Sequence, residues 1–332
     1  MFESKIEGHA RQVLLGRLKV LYSYGWRCIL LSKRLSKYQV ISPNILSVGD
    51  HKVEYIKHMI CTRTTDAPLL YRPNGFVNRV GRSPKLQSYF HYFNAKRYFT
   101  EAQCISVGGH KRNKTQYIQY RKCRSYLLYN IHQDAVSGWL MLASFYYRMK
   151  HYDTALTIVS YAVSKCTTEK VYDQMTLSSE QYALIKTKTI QSIIITRILK
   201  LLLVRNVTFK KESTLIPAEL YLEVVNDDHY LPPVVYSNFM SFLCHFHLNN
   251  VKEYFSALRD LQLTISKDYV INGNIQRSCS YNCLGVAFQL IGNLGLAELA
   301  FYQAIELNTA YSCASQRLSM IQRSSTVSDS TL

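Results

Sequence analysis

The chain has 332 residues, 48% of them hydrophobic, enough to fill one large or two ordinary cores, which excludes disorder throughout. Its formal charge of +18 is lopsided: residues 1–124 hold 23 Lys and Arg against 6 Asp and Glu, whereas residues 125–332 hold 17 against 16. A basic segment of this kind suits an acidic counterpart, whether nucleic acid or protein, although a solvated face with no partner accounts for it equally well.

The first apolar stretch, Val13 to Leu31, is broken by Arg17, Lys19 and Arg27, unlike the core of a signal peptide. The longest apolar run, Ile190 to Val204, carries Arg197 and Lys200 and is too short to span a bilayer, so it reads as a buried helix. The 9 cysteines are scattered rather than spaced as a disulfide framework, which points to reduced thiols and a cytoplasmic setting.

In chain order, Ile6, Ala10, Val13, Leu14, Leu18 and Leu21 recur at helical spacing and predict a first helix ending near Gly25. Residues 42–114 are basic and poorly regular, punctuated by Pro43, Pro68, Pro73, Gly75, Gly81 and Pro84, with one short helix expected around Val53 to Ile60. Aromatics crowd Tyr89 to Phe99. Regular helix resumes near Gln116, inside a run of candidate binding cations: Lys96, Arg97, Lys111, Arg112, Lys114, Arg121, Lys122 and Arg124. Bases stack on Tyr or Phe while Lys and Arg neutralise phosphates, so residues 85–124 form the candidate nucleic-acid or acidic-partner surface. Tyrosines at helical spacing also serve as core.

An internal repeat emerges when Trp139 is aligned with Tyr281. Trp139, Leu142, Ala143, Tyr146, Ala155 and Ala162 fall at relative positions 4, 7, 8, 11, 20 and 27 of a 34-residue unit. Tyr281, Leu284, Gly285, Phe288, Ala297 and Ala304 fill the same positions, with Phe301 added at 24. This is the tetratricopeptide pattern: small residues at 8, 20 and 27 let two helices approach closely, and large ones fill the gaps beside them. A weaker hairpin spans Ser237 to Leu248 and Val251 to Ile265, though Cys244, His247 and Ser256 fit only if one residue is inserted. One long helix from Ser179 to Val204, followed by an irregular stretch from Thr208 to Pro233, is expected to replace a repeat between the first hairpin and the next.

Catalytic and metal chemistry lacks its usual signatures. Two-metal nucleotidyl transfer requires carboxylates at i and i+2, one face of a strand, and no two acids here have that spacing; no phosphate-binding glycine loop or HExxH occurs either. Cys279 and Cys283 lie four apart without two further zinc ligands, and His245 and His247 point to opposite sides of a helix, so neither pair is assigned a metal. No cofactor is assigned. The terminal Ser330-Thr331-Leu332 has the form that strand-adding peptide-binding domains accept, a pattern common by chance.

Five segments carry a family resemblance: MFESKIEGHARQVLLGRLKVLYSYGWRCILLS, AVSGWLMLASFYYRMKHYDTALTIVSYAVSKCT, STLIPAELYLEV, SFLCHFHLNN and LGVAFQLIGNLGLAELAFYQAIEL. They resemble the C-terminal part of large molluscan proteins of the male-abnormal-twenty-one family, similar to cyclic GMP-AMP synthase, over residues 1–41 and about 115–310. The resemblance implies a link to innate immune sensing, with residues 1–41 as the remnant of a helical lobe that follows a catalytic nucleotidyltransferase lobe. No catalytic residue of that lobe has a counterpart here.

The resulting expectation is an all-α chain: a preceding helical segment at 1–41, a basic linker at 42–114, a tetratricopeptide-like α-α helical repeat array at 115–323 and a disordered tail at 324–332. Its function would be that of a non-enzymatic, cytoplasmic scaffold gripping a protein partner in the groove along the first helices of its hairpins. Nucleic-acid binding by residues 85–124 is the alternative function.

Overall fold

The computed structural model describes residues 95–106, 113–167, 169–172, 178–187, 195–309 and 312–329. The helix expected over Ile6 to Leu21, the short helix near Val53 and the C-terminal tripeptide lie outside them. Most of the described residues are helical and the strands are two or three residues long, so the class is all-α. Among the described residues no helix is long and apolar enough to cross a membrane.

The chain divides into two compact units, one of Met1–Ala95 with Ser178–Ile198 and one of Lys96–Leu177 with Leu199–Leu332. In the first, Ser178 starts a helix, α4 (Ser179–Lys186), with a reciprocal capping box: its hydroxyl accepts from the Gln181 amide while the Gln181 side chain accepts from the Ser178 amide.

The second unit opens with helical residues 96–103 and α1 (Asn113–Asn130). Three helix hairpins follow: α2 (Ser137–Arg148) with α3 (Tyr152–Ser164), α6 (Pro233–His247) with α7 (Val251–Ser266), and α8 (Gly273–Leu290) with α9 (Leu294–Leu307). Their turns share one hydrogen-bond pattern. The amides of His151, Asn250 and Asn293 each reach back five residues, to the carbonyls of Tyr146, His245 and Phe288 at 2.9, 3.0 and 3.0 Å. The preceding Lys150, Asn249 and Gly292 take positive φ of 60°, 55° and 79°, the left-handed residue that closes a helix C-terminus. Helix α6 packs on both α2 and α3, α8 packs on both α6 and α7, and α10 (Ser312–Asp329) packs on α9.

Anchoring on these turns aligns Trp139 with Asn238 and Tyr281, with no residue inserted, and explains why the middle hairpin is faint in the sequence. Where the outer hairpins place Ala143 or Gly285 and Ala155 or Ala297, it places Phe242 and Tyr254, whose rings meet edge to face at 6.0 Å. Aromatic packing there replaces close helix approach. In the last hairpin the approach is very close: a Cβ on Gly285 would lie 2.5 Å from the Phe301 ring. Trp139 is buried and meets Tyr161 at 4.8 Å between ring centroids. Leu142, Ala143, Ala155, Ala162, Leu284, Phe288, Ala297, Phe301 and Ala304 are buried as well, while Tyr146 and Tyr281 are half-buried.

Two expectations need correction. A single helix from Ser179 to Val204 does not form: α4 stops at Lys186, where Thr187 turns extended (ψ 144°), and α5 (Ile195–Leu202) gives way to β2 (Leu203–Val204), which pairs in parallel with β1 (Val171–Tyr172). Tertiary donors claim the carbonyls at that end, since the Ala135 amide donates to Leu203 at 2.8 Å and Lys170 Nζ to Leu201 at 2.5 Å. The Ser/Thr-rich residues 324–329 are also helical, the continuation of α10. Once Ala314, Leu318 and Ile321 are packed, extending the helix costs little.

Truncating Trp139 to Ala should destabilise the protein by about 3–5 kcal/mol, and Gly285→Ala, which drives a methyl into the Phe301 ring, by about 1–3 kcal/mol. Urea melts followed by circular dichroism measure both; an unmoved midpoint in either contradicts the packing.

Candidate functional site

The stretch between α5 and α6 is more than a loop. Strand β3 (Val207–Phe209) pairs antiparallel with β4 (His229–Leu231), Val207 facing Leu231 and Phe209 facing His229. Between them Pro217 starts a 3-10 segment, Ala218–Val224. The apolar residues Leu215, Ile216, Leu220 and Val224 are all buried, which makes the insert part of the core. Gln103, from the helix ahead of α1, pins it at three points: its side chain donates to Thr208 O at 3.2 Å and accepts from Lys210 N at 2.8 Å, and its carbonyl accepts from Thr214 N at 2.9 Å.

Two glutamates of the 3-10 segment, four residues apart, reach the first helices of all three hairpins. Glu219 Oε1 accepts from the Tyr147 hydroxyl on α2 at 2.7 Å and lies 3.1 Å from His247 Nε2 on α6. The His247 ring stacks on Tyr152 at 5.0 Å, within 8° of parallel. Burial, reinforced by the Glu219 carboxylate, holds the Tyr147 phenol protonated far above its ordinary range. Glu223 Oε1 accepts from Asn282 Nδ2 on α8 at 2.9 Å and from Arg317 on α10, whose Nη2 is 3.1 Å away. Arg317 Nη2 also donates to the Glu219 carbonyl at 2.7 Å. The Glu223 side chain is fully buried and that of Arg317 nearly so.

The insert therefore lies along the groove that the sequence assigns to a protein partner. The faces of α2, α6 and α8 bearing Tyr147, His247 and Asn282 are engaged by the chain itself. A signal was present in STLIPAELYLEV, whose two glutamates sit among apolar residues, but nothing in the sequence says which helices they meet.

A cavity of about 200 Å³ borders this centre, lined in part by Glu223, Asp227, Asp228, His229, Cys279 and Cys313. Two of its carboxylates are engaged. Asp228 binds Lys210 Nζ at 2.5 Å and the Lys211 amide at 2.9 Å, and Glu223 binds Asn282 and Arg317. Among the described residues no group of three His, Cys, Asp or Glu side chains could hold a metal. Burial pushes the thiols of Cys123, Cys166 and Cys244 up to about 12 and that of Cys283 upward too, so these cysteines stay protonated and unreactive. Cys279 and Cys283 both sit in the α8 core.

Among the described residues the predicted cationic cluster does not converge on one patch. Lys111 and Arg112 lie outside the described residues. Arg97 is paired with Glu101 at 2.8 Å on its own helix, Lys96 and Arg124 are half-buried, and only Lys114, Arg121 and Lys122 share an exposed stripe of α1. Arg121 lies over the Tyr117 ring and Lys122 over the Tyr126 ring.

Comparison with protein-family models, with curated proteins and with solved structures finds no match.

Two consequences can be measured. Arg317→Met leaves the buried Glu223 carboxylate without its cation and should cost about 3–5 kcal/mol, whereas Glu223→Gln combined with Arg317→Met should restore much of that loss, read as a double-mutant cycle in urea. His229 is buried, and desolvation lowers its pKa below the ordinary 6.5, with Glu223 opposing and Arg317 assisting. A depressed folded-state value means the unfolded chain binds the proton first, so stability should fall as pH drops below about 6.5 toward the folded value. Replacing His229 by Asn should flatten that part of the stability profile; an unchanged slope would contradict the assignment.

Proposed function

We propose that the protein is a non-catalytic scaffold, a tetratricopeptide-like array of helix hairpins that contacts partners through its outer helical surfaces. The observation that carries this reading is the insert 205–232 lodged along α2, α6 and α8, held by Glu219 and Glu223. A groove whose polar side chains are bonded by the chain's own segment is one the chain itself occupies. The shared turn geometry and the alternate packing of α2, α6 and α8 support the array reading. Exposed apolar side chains on the outer helices, such as Phe255 at 50% and Leu299 at 61% relative exposure, support contact there.

On this reading the scaffold contributes geometry alone. The segments that resemble synthase-like immune sensors support kinship with that family as a non-catalytic relative.

A photo-reactive amino acid placed at Phe255 should cross-link to other proteins in cells, whereas the same group at Tyr230, inside the insert, should give only intramolecular products. Intermolecular adducts from Tyr230 alone would contradict the proposal. Incubation with ATP, GTP and magnesium should yield no nucleotide product, and any product would likewise overturn it.

A further inference from the structure

Two exposed helix faces in this chain are chemical opposites. On α1, Lys114, Tyr117, Ile118, Arg121 and Lys122 follow the i, i+3, i+4, i+7, i+8 spacing of one stripe. Tyr117 and Ile118 are 61% and 55% exposed, and the helix contains no acidic residue. On α9, Leu296, Leu299 and Tyr302 are 41%, 61% and 50% exposed and share a face with Glu306, which is exposed. The charged residues of α9 are Glu298 and Glu306, with no Lys or Arg. Helix α1 packs on the first hairpin and α9 belongs to the last. Since both stripes are open to solvent, neither is covering the other within one copy.

We propose that the protein self-associates head to tail, the α1 stripe of one copy seating on the α9 stripe of the next. A tyrosine and an isoleucine on one face meet two leucines and a tyrosine on the other. The lysines and arginine of α1 flank glutamates, with no like charge brought against them on either helix. This pairing matches the α1 stripe in both charge and apolar content with a face of the chain itself, and for that reason a second copy is the occupant proposed. Two unlike surfaces joined in this way form a heterologous contact, which propagates unless the geometry closes a ring. Paired stripes of this length bury less than about 1,200 Å² in total, so the contact is weak, with dissociation constants in the micromolar range. Being partly electrostatic and exposed, it weakens with salt.

Sedimentation of the full chain from about 5 to about 200 µM decides the matter. The expected result is a weight-average mass that climbs above 38.4 kDa with concentration and falls back in high salt. Ile118→Asp and Leu299→Asp change exposed positions, so each should keep the native circular dichroism spectrum and remain monomeric alone. Mixed in equal amounts, the two variants should form a dimer and nothing larger, because each retains the one intact face that the other lacks. A wild type that stays monomeric throughout overturns the proposal. So does Ile118→Asp that still self-associates, which would mean a symmetric contact. Salt-sensitive binding of a labelled oligonucleotide at α1 by a monomeric wild type would give that face to nucleic acid and overturn it as well.

Discussion

A carboxylate with no access to water, Glu223, sits where the 3-10 segment, α8 and α10 meet, and the rest of the second unit is arranged around keeping it satisfied. Burying an ionised group costs several kcal/mol unless hydrogen bonds and an opposite charge replace its hydration. Here Asn282 supplies a neutral donor and Arg317 a cation. Because Arg317 also binds the Glu219 carbonyl, the cap helix α10 is tied to the insert as well as to α9. Such a centre adds little net stability compared with well-packed apolar residues, but it tolerates only one placement of the insert.

Glu219 performs the matching task at the other end of the segment in a wetter setting. Its carboxylate reaches Tyr147 and His247, so α2 and α6 are joined through a side chain that belongs to neither hairpin. Hairpins stacked edge to edge bury their apolar faces only against neighbours and leave a groove along their first helices. Here the insert itself contacts those helices, and strands β3 and β4 satisfy peptide groups that an irregular segment would leave buried and unpaired. Elsewhere on the second unit, Tyr117, Phe255 and Leu299 remain exposed.

What the sequence discloses tracks how local each constraint is. The outer hairpins are legible because close approach demands small residues at fixed intervals, and Ala143, Ala155 and Ala162, or Gly285, Ala297 and Ala304, supply them. The middle hairpin is obscured because Phe242 and Tyr254 fill the same positions by aromatic packing, a solution with no fixed spacing. The end of α5 is misjudged from sequence because the break depends on Ala135 and Lys170, donors that arrive from about 70 and 30 residues away. The placement of the insert is hidden for the same reason: the apolar setting of Glu219 and Glu223 hints at burial, but not at the helices they meet. In the basic region, charge counts pick out residues of α1 but not which of its cations face solvent, since that depends on what Cys123 and Leu127 bury on the other side.

The most direct test of the account is hydrogen exchange of the backbone amides in the insert, followed on the full chain at neutral pH. The Leu220 amide, bonded to Pro217, the Glu212 amide, bonded to Val224, and the amides that pair β3 with β4 should exchange as slowly as those of α6, because the groove is closed in every folded molecule. Exchange of these amides within seconds, while α6 stays protected, would show that the insert leaves the groove freely and would contradict the account.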